Sequence, residues 1–191
     1  MSKTIDNLNV LINLLDDDKF YHLEIISRSK ETGKTYQHFT NTITPPMLIK
    51  RYDNLKRLSE SVNARIYLHL TPMDSESFKL DLLKQIVSSI ENKNNPIKIF
   101  NSSMIKHRKS KYWLIDVDFD LDKNDIISDD LINIANHINS LNPITYETKV
   151  KATVRTPNGY HLITDKFDLS KFEFNYDIHK NNPTVLYYNY E

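Results

Sequence analysis

The stretch from Lys111 to Asp120 reads KYWLIDVDFD. Its alternation places Trp113, Ile115, Val117 and Phe119 on one face of a strand and Asp116, Asp118 and Asp120 on the other. Aspartate is among the poorest strand formers, and like charges sharing a face repel. Such a row is stabilised if a divalent cation neutralises it. Carboxylates two residues apart lie roughly 6–7 Å apart along a strand, so both can lean onto one ion or a close pair of ions. Two-metal phosphoryl transfer needs that arrangement. A solvated acidic strand end running from Asp116 to Asp122 is the competing reading, and spacing alone does not choose between them. A calcium loop is rejected, because Lys123 stands where glycine is needed and Phe119 and Leu121 have strand character.

A second stretch, Val154 to Ile163, reads VRTPNGYHLI. Pro157, Asn158 and Gly159 give a tight turn in which Gly159 is expected to take a positive φ. Gly159, His161 and Ile163 then share one strand face. His161 and Arg155 beside the turn can grip phosphates, and the backbone N–H groups at Asn158 and Gly159 can add to that grip. A lone strand histidine is, however, more often structural. In the third stretch, Asn175 to Tyr187, Asp177 taken alone is an ordinary loop acid. His179 and Lys180 read as solvent-facing residues.

The elements that must position these residues follow from periodicity. Residues 4–16 carry Ile5, Leu8, Leu11, Ile12 and Leu15 at helical spacing and predict an amphipathic helix ending near Asp16, Asp17 and Asp18, a solvated end given no chemistry. Strands are predicted over 19–28 and 35–43 around a turn at 31–34, then a helix from Pro45 to about Val62. A strand at 65–70 and a helix over 75–91 complete the first half. The polar segment 92–110 contains Pro96 and ends in basic residues, marking a boundary between lobes. Beyond it come strands at 111–119, 144–155, 160–164 and 184–189, a helix at about 125–140 and a short helical piece near 169–174.

Bulk composition narrows the classes. The chain has 191 residues, no cysteine and only two glycines, so disulfides, thiolate zinc sites, the Walker loop and the dinucleotide fingerprint are all excluded. Lysine plus arginine equals aspartate plus glutamate, 25 against 25, so no global basic field draws the chain to nucleic acid. No apolar run approaches the ~20 residues of a membrane span, and the first residues lack a signal-peptide pattern. A cytoplasmic protein without membrane contact is expected.

Taken in order, Asp116-Val117-Asp118, Gly159-Tyr160-His161 and Tyr176-Asp177 resemble the three motifs of the archaeo-eukaryotic primase-polymerase superfamily: acid-x-acid, glycine-x-histidine, and a hydrophobic residue before aspartate. The similarity runs from about residue 20 to the end, with residues 63–70 resembling the first-lobe strand. The resemblance implies an α/β (α+β) protein with a small N-terminal lobe (1–95), a linker or basic loop (96–110) and an RRM-like antiparallel catalytic lobe (111–191), together one compact domain. It implies that Asp116, Asp118 and Asp177 hold two Mg²⁺ or Mn²⁺ ions and that His161, with Arg155, Asn158 and Gly159, contacts the incoming nucleotide. Lys106, Arg108 and Lys109 become candidates for template or primer phosphates, against the alternative of a solvated linker loop.

The expected function is template-directed nucleotidyl transfer, primase or DNA polymerase in type, in replication of a phage, plasmid or similar element. Nucleoside triphosphates and single-stranded or primed DNA are the implied partners, with room for a replicative helicase or accessory primase subunit. Two departures from the pattern bear on this. Gly159 and Asn158 stand where the family often has serine, and no accessory helical or zinc module follows the third motif in this sequence. A core that extends primers better than it starts them is therefore expected. Two rivals remain: a non-catalytic nucleic-acid-binding protein with a degenerate primase fold, and a metal-dependent nuclease using the same carboxylates.

Overall fold

The computed structural model describes residues 3–29, 33–92, 99–100, 102–103, 106–107, 111–118, 127–180 and 183–190. It is a mixed α/β protein built on two antiparallel sheets. The strands are β1 (Lys3–Asp6), β2 (Tyr21–Ser27), β3 (Tyr36–Ile43), β4 (Arg65–Leu68), β5 (Trp113–Asp118), β6 (Val150–Arg155), β7 (Gly159–Thr164), β8 (Asp177–His179) and β9 (Thr184–Tyr190). The helices are α1 (Leu8–Leu11), α2 (Pro45–Ser61), α3 (Ser75–Asn92) and α4 (Ile127–Ser140). The first sheet has the order β1-β9-β4-β2-β3 and the second β6-β7-β5-β8.

Alternation on β2 and β4 builds the main core. Tyr21, Leu23 and Ile25 of β2 and Ile66 and Leu68 of β4 are buried together beneath α2. Helix α2 starts on Pro45, whose fixed φ suits a first turn. It buries Leu48, Tyr52, Leu55 and Ser59, a stripe at three- and four-residue spacing. It ends in a Schellman arrangement: Asn63 takes a φ of 44°, with Ala64 N–H on Ser59 O at 2.8 Å and Asn63 N–H on Glu60 O at 3.2 Å. In the second sheet, Ile115, Val117 and Leu162 pack against Ile134 and Ile138 of α4. The same face is covered further along by Phe167, Phe172, Phe174 and Tyr176, an aromatic segment around the 3₁₀ turn Leu169–Lys171.

Three expectations give way here. Residues 4–16 are not one helix: Lys3–Asp6 is an edge strand paired with β9, Ile5 opposite Tyr188, and only Leu8–Leu11 and a 3₁₀ turn at Ile12–Leu14 are helical. Helical spacing of the apolar residues loses to the ladder that β9 offers, and Ile5 is buried with Tyr67, Val185 and Tyr188. Residues 144–149 precede β6 as irregular chain, with Ile144 and Tyr146 exposed and the Lys149 N–H held by Asn139 Oδ1 at 2.8 Å. Strand β9 leaves the second half of the chain and pairs inside the first sheet, between β1 and β4.

That crossing is fixed by Asn7, which is 6% exposed. Its amide nitrogen donates to Val185 O at 2.8 Å in the first sheet and to Arg155 O at 2.9 Å in the second, while its oxygen accepts from Arg155 N–H at 3.3 Å. Asn7→Leu leaves these backbone groups unsatisfied and should destabilise by about 1–3 kcal/mol. Thr4→Ala, at an exposed hydrogen bond, should stay within about 0.5 kcal/mol. Equal midpoints of the two variants in urea denaturation would refute the staple.

Candidate active site

Register brings the predicted acids together. On β5, Asp116 is opposite His161 of β7 on one side and opposite Asp177 of β8 on the other. Directly opposed residues of antiparallel strands share a face, so Asp177, Asp116 and His161 form one row across three strands. Asp118 follows on the same face, opposite Gly159. Burial falls along this face from Leu114 (3% exposed), which joins the main core, through half-buried Asp116 to exposed Asp118. Asp177 is exposed as well, on a three-residue strand where sequence reading alone saw a loop.

His161 is 9% exposed and both its ring nitrogens are engaged. Nε2 is 3.3 Å from Asp116 Oδ1, and Nδ1 is 2.9 Å from Thr184 Oγ1, at the start of β9. A neutral ring satisfies both contacts by donating from Nε2 to the carboxylate and accepting at Nδ1 from the threonine hydroxyl. The hydrogen bond from His161 holds the Asp116 carboxyl below the usual aspartate range, helped by the charges of His179 and Arg28 and opposed by burial.

A cleft of about 320 Å³ opens over Asp116 and His161, lined by these two with Asp118, Asn158 and His179 from the second sheet's side. Arg28, just after β2, and Arg65 and Tyr67 of β4 line it from the first sheet. Arg28 and Arg65 each place an Nη1 atom 3.4 Å from the Tyr67 hydroxyl, and Arg65 lies 4.9 Å over the Tyr188 ring. The walls thus differ in sign. Arginines of β2 and β4 carry no sequence signal of function, being ordinary strand-end cations. His179, expected in solvent, lines the cleft, whereas Lys180 lies 5.4 Å over the Trp113 ring.

Other candidates fall elsewhere. Arg155 is opposite Tyr160, whereas Val154 is opposite His161. The Arg155 side chain therefore belongs to the other face of the sheet, and its backbone serves Asn7. Lys106 is 2.7 Å from Asp81 of α3, outside the cleft, and pulls that carboxyl well below its usual range. Arg108, Lys109, Asp120 and Asp122 lie outside the described residues. Asp177 is beside Asp116 but is not part of the cleft lining.

Gly159 does not take a positive φ; Gly33 does, at 78°. Its reason for being glycine is contact: a Cβ there would stand 2.1 Å from Val117 O. Among the described residues, the trio of metal-capable side chains whose ligand atoms all lie within 4.8 Å of one another is a different one, His22, Glu24 and His69. No protein family, no curated protein and no solved structure matches the chain.

Two outcomes check this geometry. Gly159→Ala must push β7 from β5 and should cost at least the ~1–3 kcal/mol of an overpacked site, read as a lowered unfolding midpoint. The Asp116 carboxyl should titrate below a free aspartate by carbon-detected NMR, and His161→Leu should return it upward. Because the folded value is the lower one, the stabilisation is present above the unfolded carboxylate value of about 3.9 and is lost as pH falls through the folded value. An Asp116 titration unmoved by His161→Leu would remove His161 as its cause.

Proposed function

We propose that the chain is a metal-dependent nucleotidyltransferase of the primase-polymerase kind, acting on nucleoside triphosphates and a DNA template in the replication of a phage, plasmid or similar element. The observation that carries the reading is the pair of unlike walls: Asp116 and Asp118 face one cleft with Arg28 and Arg65. A ligand bearing both signs, a phosphate chain with its divalent cation, complements such walls better than an ion of either sign alone. Further support comes from the second sheet. Its unit runs β5-α4-β6-β7-β8, with the first and third strands central and the fourth and second at the edges. That order supports the RRM-like reading, in which the 3₁₀ turn Leu169–Lys171 would stand in place of a second helix.

The donor set suits the cofactor. Asp116, Asp118 and Asp177 offer carboxylate oxygens, the ligands Mg²⁺ and Mn²⁺ prefer, and two of the three stand directly opposed on neighbouring strands, where like charges repel. When bound, such ions would supply activation of the attacking hydroxyl and neutralisation of the triphosphate. The chain's own groups do the rest. His161, fixed between Thr184 and Asp116, holds the central carboxylate ionised and oriented. Arg28 and Arg65 bind the triphosphate from the opposite wall by charge-assisted hydrogen bonds. Pro157 and Asn158 of the turn line the cleft as well.

With a primed template, labelled nucleotides and Mg²⁺ or Mn²⁺, the wild type should lengthen the primer, and Asp116→Ala/Asp118→Ala should bring product to background. Arg65→Ala should lower kcat/KM for the nucleotide by on the order of 10²-fold. An unprimed template run beside it reads initiation. Shortened strands would replace this reading with a nuclease. No product with either metal, alongside single-stranded DNA binding equal in wild type and the double variant, would replace it with a binding module.

A further inference from the structure

His22 and Glu24 of β2 and His69, one residue beyond β4, project from one face of the first sheet. Glu24 is opposite Tyr67, and the His69 N–H donates to His22 O at 2.9 Å, which aligns the two histidines across the strands. Both imidazoles are buried, 6% and 7% exposed, and stack with centroids 4.8 Å apart at 26°. Each turns its Nε2 toward the same carboxylate: His69 is 3.2 Å from Glu24 Oε2 and His22 is 3.7 Å from Glu24 Oε1.

We propose that His22, Glu24 and His69 form a transition-metal site, fitted to Zn²⁺, distinct from the acid cleft. Metal–ligand bonds of about 2.0–2.1 Å in a tetrahedron put ligand atoms about 3.3 Å apart. The two measured carboxylate–imidazole separations bracket that value, and all three ligand atoms lie within 4.8 Å. Closing the trio onto one ion takes side-chain adjustment only. Two imidazoles and a carboxylate are a donor set that selects zinc-like ions over Mg²⁺ and leaves a fourth position for water or a substrate atom.

Outer partners surround the trio. Gln37 Nε2 donates to Glu24 Oε1 at 2.8 Å and orients the carboxylate, as outer partners of metal sites do. The Thr40 hydroxyl is 2.6 Å from His22 Nε2 and gives up that contact when the ion takes the nitrogen. The competing account is a carboxylate hydrogen-bonded between two imidazoles with no ion. That account explains one close imidazole on Glu24. In it the Thr40 hydroxyl holds His22 and the second ring's approach to the same carboxylate is incidental, whereas one ion accounts for both rings together.

The site is independent of the acid cleft, so its test is made in the Asp116→Asn/Asp118→Asn/Asp177→Asn background, which removes all three carboxylates assigned to the other ions. Chelator-stripped protein is titrated with Zn²⁺ against a chromogenic chelator, and separately with Co²⁺ for its visible absorption. The expected result is one saturable equivalent of Zn²⁺, a Zn²⁺-dependent rise in Tm, and intense Co²⁺ bands of low-coordinate imidazole ligation. Glu24→Gln and His69→Gln should each weaken binding beyond the ~10–100-fold that loss of an outer partner costs. Absence of a tight equivalent, or binding that survives both substitutions, overturns the site in favour of the hydrogen-bonded cluster. Should the variants fail to fold without metal, the parent's Co²⁺ spectrum decides, and a weak hydrated-ion spectrum overturns it.

Discussion

The two sheets meet along a buried polar seam, and the positions of the acids depend on it. Asn7 joins β9 to β6 through three hydrogen bonds, and Thr184 at the start of β9 meets His161 of β7. Burying an amide and a hydroxyl is costly unless every donor and acceptor is matched. Matched as they are here, they admit few alternative dockings of the sheets. An apolar seam would tolerate sliding by a residue. This one fixes the step at which Arg28, Arg65 and Tyr67 of the first sheet stand opposite Asp116 and Asp118 of the second.

The same seam sets the protonation of the central acid. Thr184 occupies Nδ1 of His161, which directs the other ring nitrogen to Asp116, and that contact keeps the carboxylate ionised despite its half-buried position. Asp118, two residues further, is exposed. A gradient from Leu114 in the core to Asp118 in solvent therefore runs along one strand face. It changes over a few residues from the packing that holds the sheets together to the charges that line the cleft.

Much of this was legible in the sequence, because strands declare their faces by alternation. The separation of Ile115 and Val117 from Asp116 and Asp118 could be read directly, as could the helix begun by Pro45 and the turn at Pro157 and Asn158. What could not be read was pairing across long separations. Nothing local tells that Thr184–Tyr190 lies between β1 and β4, or that Lys3–Asp6 is a strand because β9 is there to receive it. Arg28, Arg65 and His179 were missed for that reason: each acquires meaning only from a neighbour far away in the chain. Arg155 was misplaced for a simpler one, since the β6–β7 register sets it opposite Tyr160, off the face of His161. Gly159 was recognised as constrained, but the constraint is the closeness of β5 rather than a positive φ.

The acid cleft and the His22–Glu24–His69 cluster, two donor sets of different chemical hardness, lie on either side of one tyrosine. Tyr67 lines the acid cleft and is directly opposite Glu24, the carboxylate between the two buried histidines. Carboxylate oxygens alone suit Mg²⁺ or Mn²⁺, which bind reversibly and keep water. Two imidazoles with one carboxylate suit a zinc-like ion that stays. Ligand type therefore sorts the ions without a barrier between the sites. Because His22, Glu24 and His69 tie β2 to the chain just beyond β4, an ion there would also stiffen the two strands that carry Arg28 and Arg65. Its effect on the cleft would be exerted through the placement of those arginines rather than through contact with the acids.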